Sequence, residues 1–279
     1  MRTAAAPPGF VREGDGGALS LVRVDLAAGA RALGLFAPDG IARALAAGAP
    51  LAGGRAAAAA IAWPGGGPEI VVRQLRHGGV LGPLLGVAYL GPGRVLRELA
   101  VTSALAARGE ALVPQPALAL ARRIAGPLWE CAIGTVRLPG GDLFAALQRA
   151  ESAGARLAAL AACAVAVRAF HDLGARHADL NAANLILAHR GGRLAASLID
   201  LDRARVQAPV PARRRAHELA RLWRSLAKRG GRAGLAASER DAFLAAYCAG
   251  DAALERALRS HLQRFRLLSA LHAWRYPRR

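Results

Sequence analysis

The sequence predicts an α+β fold in which strands come first and helices last. Three observations carry this. Residues 51–138 alternate short apolar, strand-like runs with glycine and proline turns, around one stretch of helical spacing. From Asp142 onward the helical period takes over. Into that helical half a hairpin is inserted: Leu185-Ile186-Leu187, the turn His189-Arg190-Gly191-Gly192-Arg193, and Leu194 to Ile199. The expected organisation is a partly ordered N-terminal extension over 1–50, a small antiparallel-sheet lobe with one helix over 51–138, and a mainly helical lobe over 139–279. There is no internal repeat.

In the first 50 residues, Asp15-Gly16-Gly17 and Pro38-Asp39-Gly40 read as turns and Ile41 to Ala47 as a short helix. A meander follows. Gly53-Gly54-Arg55 is a glycine turn, Ala56 to Trp63 a weak strand, Pro64-Gly65-Gly66-Gly67-Pro68 a tight turn, and Glu69 to Leu75 a better strand. Residues 94–107 carry apolar side chains at helical spacing, and Val113-Pro114-Gln115-Pro116 stops that region. Ala117 to Arg122 and Leu128 to Val136 form another strand pair. Asp142 is placed to cap Leu143 to Arg149. Arg156 to Leu173 is strongly apolar, ends at Gly174 and feeds the loop that begins at His177. Helical spacing returns in Glu218 to Lys228, Ser238 to Ala249 and Ala252 to Trp274.

The hairpin carries the chemistry. Asp179 and Asn184 stand five residues apart before it, and Asp200 ends it. Protein kinases place a catalytic-loop Asp and Asn at this spacing and a metal-binding Asp after the next hairpin. A carboxylate beside an attacking hydroxyl takes its proton as the phosphoryl group moves. The oxygens of Asn184 and Asp200 are hard ligands suited to Mg2+. A chance His-x-Asp in an alanine-rich chain would not also place the two apolar runs and Ile199-Asp200 correctly. The reading is therefore a protein kinase-like, two-lobed fold with ATP and Mg2+ as cofactors. Such a site needs a cation on the nucleotide phosphates, held by an acid on a helix. Arg73, on the strand Ile70 to Leu75, and Glu98, on the following helix, occur in the required order; alternatively both are solvated. Gly53 and Gly54 would cover the phosphates, or simply turn the chain. His177 orients the catalytic loop or fills the core. Arg203 and Arg205 clamp an acidic acceptor or face solvent. Asn181 stands where many protein kinases have lysine, which points to a different acceptor.

The chain has 279 residues, 54% apolar but only 5% aromatic, and a net charge of +19 with a pI near 11.6. That field favours anionic partners such as nucleotides, nucleic acid or an anionic membrane face. Lys228 is the sole lysine, so a phosphate clamp elsewhere must be Arg. Three cysteines at spacings that fit no zinc motif suggest a reduced, cytoplasmic setting. The N-terminus lacks an apolar signal core, and no uncharged apolar run reaches the ~20 residues that span a bilayer. A soluble or peripheral protein is expected.

Several segments together resemble the bacterial 3-deoxy-D-manno-octulosonic acid (Kdo) kinases of the lipopolysaccharide core kinase family. They are Val72-Arg73-Gln74-Leu75-Arg76-His77-Gly78-Gly79, Arg97-Glu98, Val113-Pro114-Gln115-Pro116, residues 177–184, Ile199-Asp200-Leu201-Asp202-Arg203 and Leu222-Trp223-Arg224-Ser225-Leu226, spread over roughly residues 50–230. The family commonly has His where this chain has Ala183, and often an aromatic residue at Leu201. The resemblance implies ATP-dependent phosphorylation of the Kdo 4-hydroxyl on a lipid A precursor. It also implies a peripheral position on the cytoplasmic face of the inner membrane. From the residues themselves, Asn181 and Arg203 are the candidates for acceptor contact. Arg213-Arg214-Arg215, Arg229, Arg232, Arg275, Arg278 and Arg279 would attract the anionic bilayer, or form a merely solvated basic face. One rival is another small-molecule kinase of the aminoglycoside or choline phosphotransferase type, which shares His-x-Asp-Leu. The other is a basic nucleic-acid-binding module, which the scarcity of aromatic residues for base stacking disfavours; no nucleic-acid partner is expected.

Overall fold

A computed structural model describes residues 6–14, 17–51, 57–77, 85–109, 111–206, 209–229 and 234–275, with Arg229 and 266–275 described by their backbone. The chain forms two compact units, Met1–Leu138 and Pro139–Arg279.

In unit 1 the strands are β1 (Phe10–Glu13), β2 (Ala18–Arg23), β3 (Ala49–Pro50), β4 (Ala58–Ile61), β5 (Ile70–Gln74), β6 (Tyr89–Leu90), β7 (Pro116–Ala125) and β8 (Leu128–Val136). They form one antiparallel sheet in the order β1-β2-β7-β8-β5-β4-β3, with β6 also on β8. Successive side chains of β7 point to opposite faces, and both faces are buried. Leu118 and Leu120 join Val22, Leu26, Leu35, Ile61, Ile70 and Val72 on the face covered by α1 (Ala27–Ala32) and α2 (Gly40–Ala46). Ala119 and Ala121 join Leu75, Val95, Leu99 and Ile133 on the face covered by α3 (Gly93–Ala106). Gly134 on β8 is required by this packing, since a Cβ there would lie 2.7 Å from Leu118 Cγ.

The first 50 residues are not an appendage to this sheet, and that expectation is corrected. β2 pairs along β7, with Leu21 opposite Ala119, and Leu26, Ala30, Leu35, Ile41 and Ala44 are buried in the same core. Alanine and glycine dilute the periodicity here, so the strand is defined by its partner rather than by its own pattern. The short helix expected at Ile41 to Ala47 is α2. Asp15 and Gly16 of the expected first turn, like Gly53-Gly54-Arg55, lie outside the described residues.

Unit 2 contains β9 (Gly141–Asp142), α4 (Leu143–Arg149), α5 (Ala153–Asp172), β10 (Ala175–Arg176), β11 (Leu185–Arg190), β12 (Arg193–Leu198), β13 (Arg205–Val206), α6 (Ala212–Arg229), α7 (Ala237–Cys248) and α8 (Ala252–Arg275). Asp142 caps α4, its Oδ1 accepting the Ala145 N–H at 2.7 Å. The hairpin β11–β12 closes through Gly191 and Gly192 at φ +53° and +77°, the left-handed pair that a two-residue hairpin turn demands. α5 packs on α7 and on β12, and α6 on α8. With a mean hydropathy of 1.6 over an 18-residue window, α5 is long and apolar enough to cross a bilayer. Its buried face holds Leu160, Cys163, Val167 and Phe170, and Arg156 and Arg168 on the same helix are ion-paired to Glu239 and Asp172. α6 begins six residues before the expected Glu218, because Pro211 opens it and accepts the N–H groups of Arg214 and Arg215.

Candidate active site

In unit 1, Val72 points to the α1/α2 face of the sheet, so Arg73 points to the α3 face. On α3 the buried positions Val95, Glu98, Leu99, Thr102 and Leu105 recur at helical spacing. The two patterns meet: Arg73 Nη2 donates to Glu98 Oε1 at 2.7 Å, with Glu98 4% and Arg73 25% exposed at the side chain. The guanidinium is held in place by Glu98 and remains partly exposed, and its planar fork is of the kind that suits phosphate. Gly53 and Gly54 lie outside the described residues, so the phosphate-covering role expected of them has no structural account.

In unit 2, α5 ends at Leu173, Gly174 takes φ +75°, and β10 leads into residues 177–184. His177 is 1% exposed and serves as an internal tie. Its Nδ1 accepts the Asp179 N–H at 3.1 Å, so the neutral ring carries its proton on Nε2 and donates it to the Ile199 carbonyl at 2.9 Å. One ring therefore fixes both the residue of the proposed base and the residue before the proposed metal ligand. Orientation and core burial, open alternatives in the sequence, are here the same thing. The neck of the hairpin adds a second tie, the Ile199 N–H donating to the Asn184 carbonyl at 3.0 Å.

The side chains around that tie are arranged for chemistry. Asp179 is 72% exposed at its side chain and Asp200 is also exposed. Asn184 is buried and donates from Nδ2 to the Asp179 carbonyl at 2.9 Å, so Oδ1 is the atom a metal would use. Asp200 takes φ +59° and Arg203 φ +62°, both unfavourable for residues with a Cβ. Such backbone strain concentrates where a site must hold a group in an unusual direction. Asn181 caps the short 3-10 turn 182–184. Its Oδ1 accepts the Ala183 N–H at 2.9 Å and its Nδ2 reaches the Asp179 carbonyl at 3.1 Å and Oδ2 at 3.3 Å. It orients the loop and the carboxylate. Arg203 and Arg205 are exposed. Among the described residues no group of three or more His, Cys, Asp or Glu side chains could hold a metal alone.

Three contributors were not legible as site residues. Glu218, Arg221 and Ser225 lie three and four residues apart on α6, hence on one face. Glu218 Oε2 accepts the His177 N–H at 2.9 Å, Arg221 Nη1 donates to the Ala178 carbonyl, and Ser225 Oγ accepts the Ala182 N–H at 3.0 Å. Arg221 Nη1 also lies 3.7 Å from Asp179 Oδ1. The available signal was that spacing beside Leu219, Leu222 and Leu226, all fully buried. Burial pushes the Glu218 carboxyl up, but the hydrogen bonds from His171 and from the His177 N–H outweigh it and hold Glu218 below its usual range. The three cysteines take no part: all are free and buried, and burial pushes the Cys131 thiol up to about 12.

The sequence has relatives consistent with this arrangement. Residues 68–247 match the model of the lipopolysaccharide kinase (Kdo/WaaP) family. A 3-deoxy-D-manno-octulosonic acid kinase of Xylella fastidiosa (strain M23) is 34% identical over 175 residues, 61% of this chain and 67% of the relative; the protein of that name from strain Temecula1 / ATCC 700964 matches equally. A solved structure described as WaaP in complex with acyl carrier protein superposes with a TM-score of 0.49 at 19% identity, over 78% of this chain and 88% of that one. On the family match and these relatives, the chain belongs to the lipopolysaccharide kinase (Kdo/WaaP) family and is a phosphotransferase acting on a hydroxyl group.

Proposed function

We propose that this protein is an ATP- and Mg2+-dependent kinase that phosphorylates the 4-hydroxyl of Kdo on a lipid A precursor, at the cytoplasmic face of the inner membrane. The observation that carries the reading is the His177 tie, which fixes the Asp179 N–H and the Ile199 carbonyl from one ring inside the family-matched segment. Asp179 accepts the proton of the attacking hydroxyl, Asn181 and Arg221 setting its direction. Asn184 Oδ1 and the Asp200 carboxylate suit Mg2+, which takes one or two protein oxygens and completes its shell with phosphate and water. When bound, Mg2+-ATP supplies the phosphoryl group and the metal neutralises its charge. Arg73, steadied by Glu98, holds phosphate oxygens. Arg203, exposed beside Asp200, is suited to an anionic acceptor such as the Kdo carboxylate.

Docking to an anionic bilayer draws support from Arg213 and Arg214, which are exposed on the first turn of α6. Arg215, grouped with them in the sequence, is corrected: it is buried, donating to Asp172 at 2.7 Å and to the Val210 carbonyl at 2.8 Å. The side chains of Arg229, Arg232, Arg275, Arg278 and Arg279 lie outside the description.

The test is incubation with ATP, Mg2+ and a Kdo-bearing lipid A precursor, with product read by mass and the phosphate located by fragmentation. A single phosphate on the Kdo 4-hydroxyl is expected. Phosphate transfer to an aminoglycoside or choline, with none to the Kdo lipid, would overturn the reading in favour of the rival small-molecule kinase.

A further inference from the structure

Unit 2 contains a chain of buried polar groups that reaches the catalytic loop from a helix far along the sequence. Tyr247 on α7, His171 on α5 and Glu218 on α6 are all buried. Tyr247 Oη lies 2.6 Å from His171 Nδ1, and His171 Nε2 lies 3.2 Å from Glu218 Oε2, the atom that accepts the His177 N–H. At the other end Arg215 Nη1 donates to Tyr247 Oη at 3.3 Å and to Asp172 Oδ1 at 2.7 Å. Arg176 Nε approaches the second Glu218 oxygen at 3.5 Å.

Donor and acceptor chemistry allows one direction through this chain. Arg215 can only donate, so the tyrosine oxygen accepts from it and turns its own proton toward His171 Nδ1. Nδ1 must then be the unprotonated nitrogen, and the proton sits on Nε2, facing Glu218. Glu218, an ionised acceptor, receives the imidazole N–H and the His177 backbone N–H on the same oxygen. Burial lowers the His171 pKa, in keeping with a neutral ring that has one donor and one acceptor. The opposite tautomer would leave the tyrosine proton without an acceptor and turn an unprotonated Nε2 toward the Glu218 carboxylate.

We propose that Tyr247 and His171 are positioning residues for phosphoryl transfer: they fix the Glu218 carboxylate so that it holds the His177 N–H and, through the His177 ring, Asp179. The inference rests on the kinase reading of residues 177–200 and adds two residues outside it.

The test has a part that needs no acceptor. Long-range nitrogen–proton correlation on histidine-labelled full-length protein should show His171 neutral with its proton on Nε2, and amide exchange should show His177 N–H strongly protected. Tyr247→Phe removes the donor to Nδ1. It should redistribute the His171 tautomers and speed exchange at His177. It should also lower kcat by between ~10- and ~100-fold, the range expected when a catalytic group is slightly misplaced, with KM for ATP unchanged. Glu218→Gln should do the same while Glu218→Asp partly restores kcat. A wild-type His171 protonated on Nδ1 overturns the proposal, and so does a Tyr247→Phe protein with lower thermal stability but unchanged His177 exchange and kcat. If the variant fails to fold, the wild-type tautomer decides. If the wild-type protein leaves the Kdo lipid unmodified while the tautomer and exchange results hold, the acceptor assignment fails and the relay stands.

Discussion

Among the described residues each unit buries one glutamate, and the two are used differently. In unit 1, Glu98 on α3 answers a charge, the Arg73 guanidinium, which is 25% exposed at its side chain. In unit 2, Glu218 on α6 answers a backbone N–H and a neutral ring, with the nearest guanidinium at 3.5 Å. The first arrangement keeps a cation available for a ligand. The second keeps a loop in shape and leaves Asp179 and Asp200, the carboxylates proposed for catalysis, exposed. On the proposed roles, buried acid serves position and exposed acid serves chemistry, because an ionised group can exchange protons and bind cations only where water and ligand reach it.

The sharpest test leaves both buried acids untouched. Asp179→Asn should slow turnover by ~100- to ~10,000-fold, the range for loss of a general base, while Mg2+-ATP binding measured by calorimetry stays near wild type. Near-normal turnover would move the base elsewhere. Next come the glutamates. Glu218→Ala strands the His177 N–H and the His171 Nε2–H in a buried setting, at about 1–3 kcal/mol for each unsatisfied group. Denaturant unfolding should therefore show a loss of several kcal/mol. Glu98→Ala leaves a guanidinium that water can reach, so its stability cost should be smaller, about 1 kcal/mol, with the main effect a raised KM for ATP. Equal stability losses at the two sites would erase the distinction drawn between them.

Acidity offers a smaller lever on the same contrast. His171 has its pKa pushed below the ordinary 6.5 by burial. Below that pH the unfolded chain binds a proton that the folded chain refuses, so stability is full above it and declines as pH falls. The slope from this group is at most about 1.4 kcal/mol per pH unit. Glu218, held below its ordinary 4.5, adds to the loss at lower pH. His171→Gln should flatten the limb just below pH 6.5 in thermal unfolding; an unchanged limb would place the proton uptake elsewhere. The smallest effect concerns the surface. Replacing Arg213 and Arg214 with Gln should weaken binding to anionic liposomes by about 1 kcal/mol per residue at low salt, leaving ATP binding unchanged. Equal partition of the wild-type protein onto neutral and anionic liposomes would remove the electrostatic basis for docking.

Much of this was legible in the chain itself. The spacing of Asp179, Asn184 and Asp200, the Gly191-Gly192 turn and the Asp142 cap are local, since loop length, turn dihedrals and capping bonds involve residues a few positions apart. Arg73 and Glu98 were legible as a pair by their order, although 25 residues separate them. Three things waited for the tertiary structure. Residues 18–23 became a strand of the sheet because β7 supplied the ladder that their diluted pattern could not announce. Arg215 left the basic surface because Asp172 and the Val210 carbonyl met it in the interior. Glu218, Arg221 and Ser225 became supports of the catalytic loop because their partners are backbone groups about 40 residues away. A backbone N–H or carbonyl is the same in every residue, so a side chain that recognises one leaves no mark in the sequence, and only the folded chain shows which it has found.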